Sequence, residues 1–286
     1  MHTITIKTPV PSPYQVSLFN ALNRDKSLHV QVIYHWSQSI YRQWNHEPIA
    51  HEHVMLNDAH ESLKIAEQWI ANADLAIFSQ YRDQHASRWL HQRDQSNKPW
   101  CFWGERPGAN NYGPAGKLYR RYALRVLHRC NAPIWGIGQW AVQAYRDEFG
   151  HHRKYFNIPY YSDLSGLQSL PLSAAKKPTK FLFCGSLIKR KGIELLLNAF
   201  IQLHKKYLEV ELHILGTGDL EQSLRNKVAK SNAKVFFHHF KEGEDKLRIF
   251  ENSDILCVPS KYDGWGLVVP EGVAAGLPVI ATNRVG

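Results

Sequence analysis

The feature that most restricts what this chain can fold into is a rhythm of short apolar runs and helix-period segments that repeats, breaks once and restarts. In the first half, strand-like runs at residues 4–7, 28–34, 74–79, 100–103 and 134–138 alternate with helical stretches at 14–23, 61–71, 116–130 and 140–149. Leu63, Ala66 and Ile70 fall at helical spacing. Ser12 stands as an N-cap, with Pro13 at the first helical position, where its missing N–H costs nothing. Repeated strand–helix alternation predicts a parallel sheet with helices on both faces.

Residues 150–178 interrupt the rhythm. The run F-N-I-P-Y-Y-S-D is followed by L-S-G-L-Q-S-L-P-L-S-A-A-K-K-P, and Pro, Ser and Gly at this density suit a crossing between domains. Strands then resume at 180–184, 210–215, 235–238, 255–258 and 278–282, with helices at 193–205, 220–230, 244–250 and 271–275. At 286 residues the chain has room for two separate cores. The expected division is a first domain over 1–160, a linker over 161–178 and a second domain over 179–286.

Composition narrows the class. Apolar residues make up 44% and charged residues 21%, the balance of a globular chain, and no apolar run approaches the ~18 residues of a membrane span. The N-terminus reads as a first strand rather than a signal peptide, so a cytoplasmic location is expected. The four cysteines have no C-x-x-C spacing and the histidines no H-E-x-x-H spacing, so neither a disulfide framework, a metal site nor a bound cofactor is expected. A formal charge of +10 implies anionic partners. Nucleic acid is the less fitting one, because no helix-turn-helix signal or aromatic platform accompanies the charge.

Three segments after strands of the second half carry chemistry. G-S-L-I-K-R-K-G, residues 185–192, opens a helix, where backbone N–H groups and the macrodipole attract anions. Gly185 is a donor-binding candidate there, and Arg190 and Lys191 add positive charge; the segment reads as a diphosphate cradle or as a basic solvated turn. L-G-T-G-D, residues 215–219, brings backbone near a ligand through Gly216 and Gly218, or is a tight turn with Asp219 as N-cap. It lacks the third glycine of a dinucleotide fingerprint. In S-K-Y-D-G-W-G-L-V-V-P-E-G, residues 260–272, Asp263 and Glu271 stand eight positions apart and Pro270 marks a helix start. A carboxylate beside phosphate is repelled, so Glu271 is assigned to the ribose diol and Asp263 to the sugar. The alternative is a helix-start acid and a turn acid. Ligands of open α/β sheets bind where such loops gather.

Residues 180–286 resemble the donor domain of family 4 retaining glycosyltransferases, whose motif reads S-x-x-E-x-x-G-x-x-x-x-E-A-x-A-x-G-x-P-V. Ser260, Asp263, Gly266, Glu271, Ala274, Gly276, Pro278 and Val279 stand at that spacing, and Gly185, Leu187, Lys191 and Gly192 match an upstream G-R-L-x-x-x-K-G. The resemblance implies an α/β GT-B architecture of two Rossmann-like, doubly wound parallel-sheet domains facing across a cleft. It implies transfer of a hexose, with retained stereochemistry, from a nucleotide diphosphate (UDP- or GDP-linked) to a glycan or lipid-linked acceptor, in polysaccharide or lipopolysaccharide assembly. Lys191 would bind the diphosphate, Glu271 the ribose and Asp263 the transferred sugar, with backbone N–H groups of Gly266, Leu267 and Val268 assisting. Fixed cations would replace Mg²⁺. The family's last strand and C-terminal helices have no counterpart before Gly286, so the second domain is expected to be incomplete, with an unpaired edge at 278–282. A nucleotide-sugar-binding module or an inactive remnant is the alternative. Ser186 stands where relatives often have a phosphate-binding Arg, and Arg190 is the substitute at hand.

The first half resembles the family more loosely. P-S-P-Y-Q-V-S-L-F-N-A-L matches its first loop and helix, making Pro13 and Tyr14 acceptor-side candidates. Glu105 and Arg106, just after a strand, are two more, with mutual neutralisation as the alternative. The helix expected over 116–130 puts Lys117, Arg120, Arg121, Arg125 and His128 on one face and Tyr119, Ala123, Val126 and Cys130 on the other. That pattern suits either an anionic membrane surface on the inner face or plain solvent.

Overall fold

A computed structural model describes residues 1–37, 47–56, 60–79, 83–107, 113–171 and 178–286. The chain divides into two compact units, Met1–Ser162 and Asp163–Val285.

The first unit runs β1 (His2–Thr8), α1 (Pro13–Asn23), β2 (Leu28–Tyr34), β3 (Glu52–Met55), α2 (His60–Asn72), β4 (Leu75–Phe78), α3 (Gln84–Gln95), β5 (Trp100–Glu105), α4 (Gly113–Ala123), β6 (Ile134–Ile137), α5 (Gln139–Phe149) and β7 (Tyr155–Asn157). Its sheet has the order β3-β2-β1-β4-β5-β6-β7 with every pairing parallel. The order reverses between β1 and β4, which makes the carboxyl ends of those strands the switch point of the sheet. Ile33, Phe78, Trp89, Phe102, Ile134 and Tyr145 are buried together in its core.

Where the elements differ from expectation, the cause is physical. The 116–130 helix begins at Gly113 and ends at Ala123. Leu124, Val126 and Leu127, in the turns that follow it, are all buried in the core. Helix α3 reads as polar, yet Ala86, Trp89, Leu90 and Arg93 are its buried positions at helical spacing. Arg93 is tolerated inside because its guanidinium donates to the carbonyls of Ile70, Ala73 and Pro99. Strands β3 and β7 lie at the sheet edges and are short and half-exposed, so they carry too little apolar pattern to be seen. At α1 the position of Ser12 is as expected, but its hydroxyl donates to Gln15 Oε1 (2.9 Å) rather than capping the helix.

The second unit runs α6 (Ser165–Gln168), β8 (Thr179–Cys184), α7 (Ile193–Lys206), β9 (Val210–Leu215), α8 (Glu221–Ala229), β10 (Val235–Phe237), α9 (Gly243–Glu251), β11 (Ile255–Val258), α10 (Val268–Ala274) and β12 (Val279–Ala281). Helix α6 falls in the stretch read as linker, and its Leu167 is buried against the second unit's core; residues 172–177 of that stretch lie outside the described residues. The sheet order is β10-β9-β8-β11-β12, again parallel. Adjacent residues feed opposite faces. Phe183 and Ile214 pack with Leu197 and Phe200 of α7, whereas Leu182 and Leu215 pack with Phe250 and Leu277. That period of two is what covers a parallel sheet on both sides. Strand β12 is at the edge, with Ile280 59% exposed.

Candidate functional site

The loops that leave β9, β8 and β11, three neighbouring strands, are packed on one another at the carboxyl rim of the second sheet. Two glycines make this possible. Gly192 caps α7 in the left-handed region (φ +71°), and a Cβ there would collide with the carbonyl oxygen of Pro259. At Gly216 a Cβ would strike the carbonyl of Gly185. Gly185 N–H donates to Leu215 O (2.9 Å), Leu187 N–H to Thr217 O (2.8 Å) and Gly216 N–H to His239 O (2.7 Å). The backbone of three loops is therefore fixed before any ligand arrives.

Charged side chains converge on this frame. Residues Lys189–Lys191 form a single 3₁₀ turn between β8 and α7. Lys191 Nζ is bonded to Asp263 Oδ2, Arg190 Nη1 lies 3.6 Å from Asp263 Oδ1, and the same Nη1 donates to the carbonyl of Tyr262 (2.8 Å). Arg190 is thus turned toward the Asp263 loop. Asp263 is 8% exposed, and its own N–H donates to Arg284 O (3.1 Å). On α10, Glu271 Oε1 accepts from Lys246 Nζ at 2.7 Å, with both side chains largely buried. Burial opposes the charge on Lys246, but Glu271, together with Cys184 and Glu242, outweighs it, and the Lys246 pKa sits above the usual lysine value. Cys184, the last residue of β8, has its thiol pushed up to about 12 by burial, and it feels the charges of Lys246, Glu271 and Lys191. Those three groups therefore lie within electrostatic reach of one strand end, and Lys191 Cε comes within 4.0 Å of where a Cβ on Gly185 would stand. Lys191 and Arg190 share Asp263, and Lys246 is paired with Glu271.

Lys246 has no motif around it and is invisible in the sequence. The one available signal is its helical spacing to Phe250, whose ring it overlies at 5.6 Å. Ser260 Oγ and Trp265 Nε1, on the Asp263 loop, are buried with no hydrogen-bond partner among the described residues.

Two local expectations are corrected. Helix α10 begins at Val268 rather than at Glu271, so Pro270 is its third residue; a first-turn N–H has no intrahelical acceptor, and Pro is accommodated there. Gly266 and Leu267 lead directly into that helix, Gly266 at φ +78°. Asp219 is not an N-cap, because α8 starts later, after Leu220.

The acceptor-side candidates belong to the first unit. Pro13 opens α1, and the Tyr14 ring lies 4.7 Å from that of Tyr160. Glu105 ends β5 exposed, with its carbonyl accepting from Tyr145 Oη (2.6 Å), and Arg106 follows it half-buried. The basic face of α4 is smaller than expected. Arg120 is paired with Glu148 (3.1 Å), and His128 packs on Phe149 with burial holding its pKa down. Tyr119, assigned to the apolar face, is 46% exposed. What faces solvent is Leu118, Tyr119 and Tyr122 beside Lys117, Arg121 and Arg129, with Arg125 over the Tyr122 ring at 4.8 Å. Among the described residues no helix is long and apolar enough to cross a membrane.

Two parallel doubly wound sheets, one with a cationic and glycine-lined rim, define an α/β architecture of the GT-B type, two Rossmann-like domains in one chain. Solved structures agree on that fold. Sucrose-phosphate synthase from Thermosynechococcus elongatus superposes with a TM-score of 0.76 at 17% identity, and HepE from Anabaena in complex with UDP and glucose with 0.69 at 14%. Each alignment covers 100% of this chain and 82% of the other. Residues 170–286 match the family described as Glycosyl transferases group 1, so the second unit carries a group 1 glycosyltransferase domain. An uncharacterized glycosyltransferase of Haemophilus influenzae is 35% identical over 102 residues, 36% of this chain and 29% of that protein. The O-antigen biosynthesis glycosyltransferase WclY of Escherichia coli is 31% identical over 135 residues, 46% of this chain and 32% of that one. The matched stretch thus spans about a third of the length of these curated relatives.

Proposed function

We propose that the chain is a family 4 glycosyltransferase that moves a hexose, with retention, from a nucleotide diphosphate to an acceptor hydroxyl in cell-surface polysaccharide or lipopolysaccharide assembly. The observation that carries this reading is the meeting of Lys191, Arg190, Asp263, Lys246 and Glu271 around the end of β8, on loops whose glycines hold them in place. The group 1 domain over 170–286, the UDP and glucose named with HepE and the O-antigen role named for WclY support it.

In the reaction, negative charge grows on the departing diphosphate. Preorganised cations lower that barrier because they need no reorganisation as the charge appears. In the free chain, Asp263 holds Lys191 and Arg190 in position. A bound diphosphate takes over those cations, and Asp263 turns to accept from hydroxyls of the sugar. Lys246 fixes one oxygen of Glu271, and the carboxylate's other oxygen accepts from the ribose diol. Ser260 Oγ and Trp265 Nε1 are donors on the same loop for the sugar or phosphate. The first domain, residues 1–160, supplies the acceptor side, with Pro13, Tyr14, Glu105 and Arg106 as its candidates. A cytoplasmic protein docked on the inner membrane face through α4 would meet lipid-linked acceptors there.

Because the chain's own cations neutralise the leaving group, turnover needs neither Mg²⁺ nor a cofactor. Release of UDP or GDP from a panel of nucleotide hexoses, with and without EDTA, tests this. Equal rates are expected; activity that vanishes in EDTA and returns with Mg²⁺ contradicts the cation assignment.

A further inference from the structure

The loop that carries Asp263 is held by a second segment besides the cationic turn. Residues 282–285, just after β12, form a β-turn in which Val285 N–H donates to Thr282 O (3.4 Å), with Asn283 and Arg284 at its centre. Thr282 engages each of its polar groups. Its N–H donates to Val258 O (3.2 Å), its carbonyl closes the turn, and its Oγ1 donates to Ser260 O (2.5 Å). The turn meets the loop at three evenly spaced points. Thr282 holds Ser260, the Arg284 carbonyl accepts from Asp263 N–H (3.1 Å), and Val285 packs at Gly266, where a Cβ would collide with Val285 Cγ1. The two residues between Ser260 and Asp263 are tied to Arg190 instead. Lys261 N–H donates to Arg190 O (2.9 Å), and Tyr262 O accepts from Arg190 Nη1 (2.8 Å). Asp263 is therefore held twice, its carboxylate by Lys191 and Arg190 and its backbone by the turn. The first hold is electrostatic and yields to a competing anion. The second consists of neutral hydrogen bonds and one apolar contact, and does not depend on charge.

We infer that the 282–285 turn sets the position of the Asp263 carboxylate once a diphosphate has drawn Lys191 and Arg190 away, with Thr282 as a positioning residue for sugar transfer. Thr282 acts through Ser260 and through the turn it begins. Its hydroxyl fixes the start of the loop, and the turn delivers the Arg284 carbonyl to Asp263 and Val285 to Gly266. Gly266, in the left-handed region at φ +78°, leaves the room that this packing needs. A Cβ there would also stand 3.9 Å from Asp263 Cγ, so the Val285 contact borders the carboxylate itself. The role in transfer rests on the glycosyltransferase reading; the hold on the loop does not.

Thr282→Val removes the hydroxyl and keeps the shape, whereas Thr282→Ser keeps the hydroxyl. Amide hydrogen exchange of residues 260–266 in the whole chain is compared among wild type, each variant, and each variant combined with Lys191→Met, which withdraws a cation without any ligand. Loop exchange should be about fivefold faster in Thr282→Val, the effect of losing one hydrogen bond, and faster still in the Lys191→Met background. Thr282→Ser should match wild type in both backgrounds. Val285→Ala, which loosens the turn at its Gly266 end, should act in the same direction as Thr282→Val. Unchanged exchange in Thr282→Val/Lys191→Met overturns the hold, as does exchange in Thr282→Ser as fast as in Thr282→Val. In release of UDP or GDP from nucleotide hexoses, Thr282→Val should lower kcat about fivefold or more, leave the donor KM within about twofold, and be rescued by Thr282→Ser. An unchanged kcat, or a loss that lies in KM alone, removes the positioning role. A wild-type chain that releases no nucleotide from any donor counts against the glycosyltransferase reading, and the exchange measurement then decides the hold by itself.

Discussion

Lys191→Met should cost the free protein stability, and Asp263→Asn should give most of it back. The ion pair is neither a surface pair nor a deeply buried one: the Lys191 side chain is 16% exposed and that of Asp263 11%. Two unit charges about 4 Å apart attract by roughly 4 kcal/mol at an effective dielectric constant near 20. Desolvation offsets much of that, and removing one partner of a fully buried pair costs about 3–5 kcal/mol. Arg190, 3.6 Å from the other carboxylate oxygen, stays behind and shields the orphaned charge. The estimate for Lys191→Met is therefore about 2 kcal/mol. For a unit of about 120 residues that is a fall in melting temperature of about 8 °C. Asp263→Asn should cost less, because a lysine can swing toward water while a shortened loop acid cannot. The double variant should lie above the sum of the singles, with a coupling energy of about 1–2 kcal/mol. The assay is thermal unfolding of all four proteins, with and without saturating UDP or GDP. A ligand at a hundred times its Kd adds about 2.7 kcal/mol. Lys191→Met should lose most of that gain, whereas Asp263→Asn should keep or enlarge it, since its lysine is already released. Additive single effects would show that the pair contributes nothing. Full nucleotide stabilisation of Lys191→Met would remove Lys191 from the phosphate site.

Acidification should weaken the fold through buried histidines. Burial, aided by His53, lowers the His51 pKa to about 4, and burial also lowers His213 and His238; the unfolded chain titrates near 6.5, so it binds more protons than the folded one as pH falls, and stability present above about 6.5 is lost toward 4. Unfolding free energies from urea titrations at pH 7.5 and 5.0 should differ by about 2 kcal/mol from His51 alone, with a smaller difference in His51→Gln; equal or higher stability at pH 5.0 speaks against it. For α4, cosedimentation should favour phosphatidylglycerol over phosphatidylcholine vesicles and collapse in Leu118→Ser/Tyr122→Ser; equal binding to both lipids, or no effect of the substitutions, refutes membrane docking there.

The central strands of both sheets could be read because buried parallel strands are continuous apolar runs, as at Leu75–Phe78 and Ile255–Val258. The edges could not. Glu52–Met55 and Tyr155–Asn157 become strands only because a neighbour supplies hydrogen-bond partners along one side. The rim shows the same contrast. Gly185, Gly192 and Gly216 are local signals, since a turn that needs close backbone approach must place its glycine at the turn itself. Charge partners are not local. Lys191 and Asp263 are 72 positions apart, and Lys246 and Glu271 25, so neither spacing says that each is the other's counterion.

That pairing changes how the site has to be understood. From the sequence, Lys191 is a cation for phosphate and Asp263 an acid for sugar, each waiting independently. In the folded free chain they are joined, and Arg190 is drawn to the same acid. On the proposed reading, donor binding is an exchange of one anion for another around two cations. The gain is the difference between diphosphate and carboxylate, smaller than the full attraction of a bare lysine for phosphate, as always when a preformed pair must be broken. That exchange would free Asp263 only with the diphosphate in place, so the acid would reach the sugar in a complex that already holds the leaving group. A donor lacking the second phosphate would compete poorly for Lys191 and leave Asp263 where it was, which ties recognition of the leaving group to the presentation of the acid.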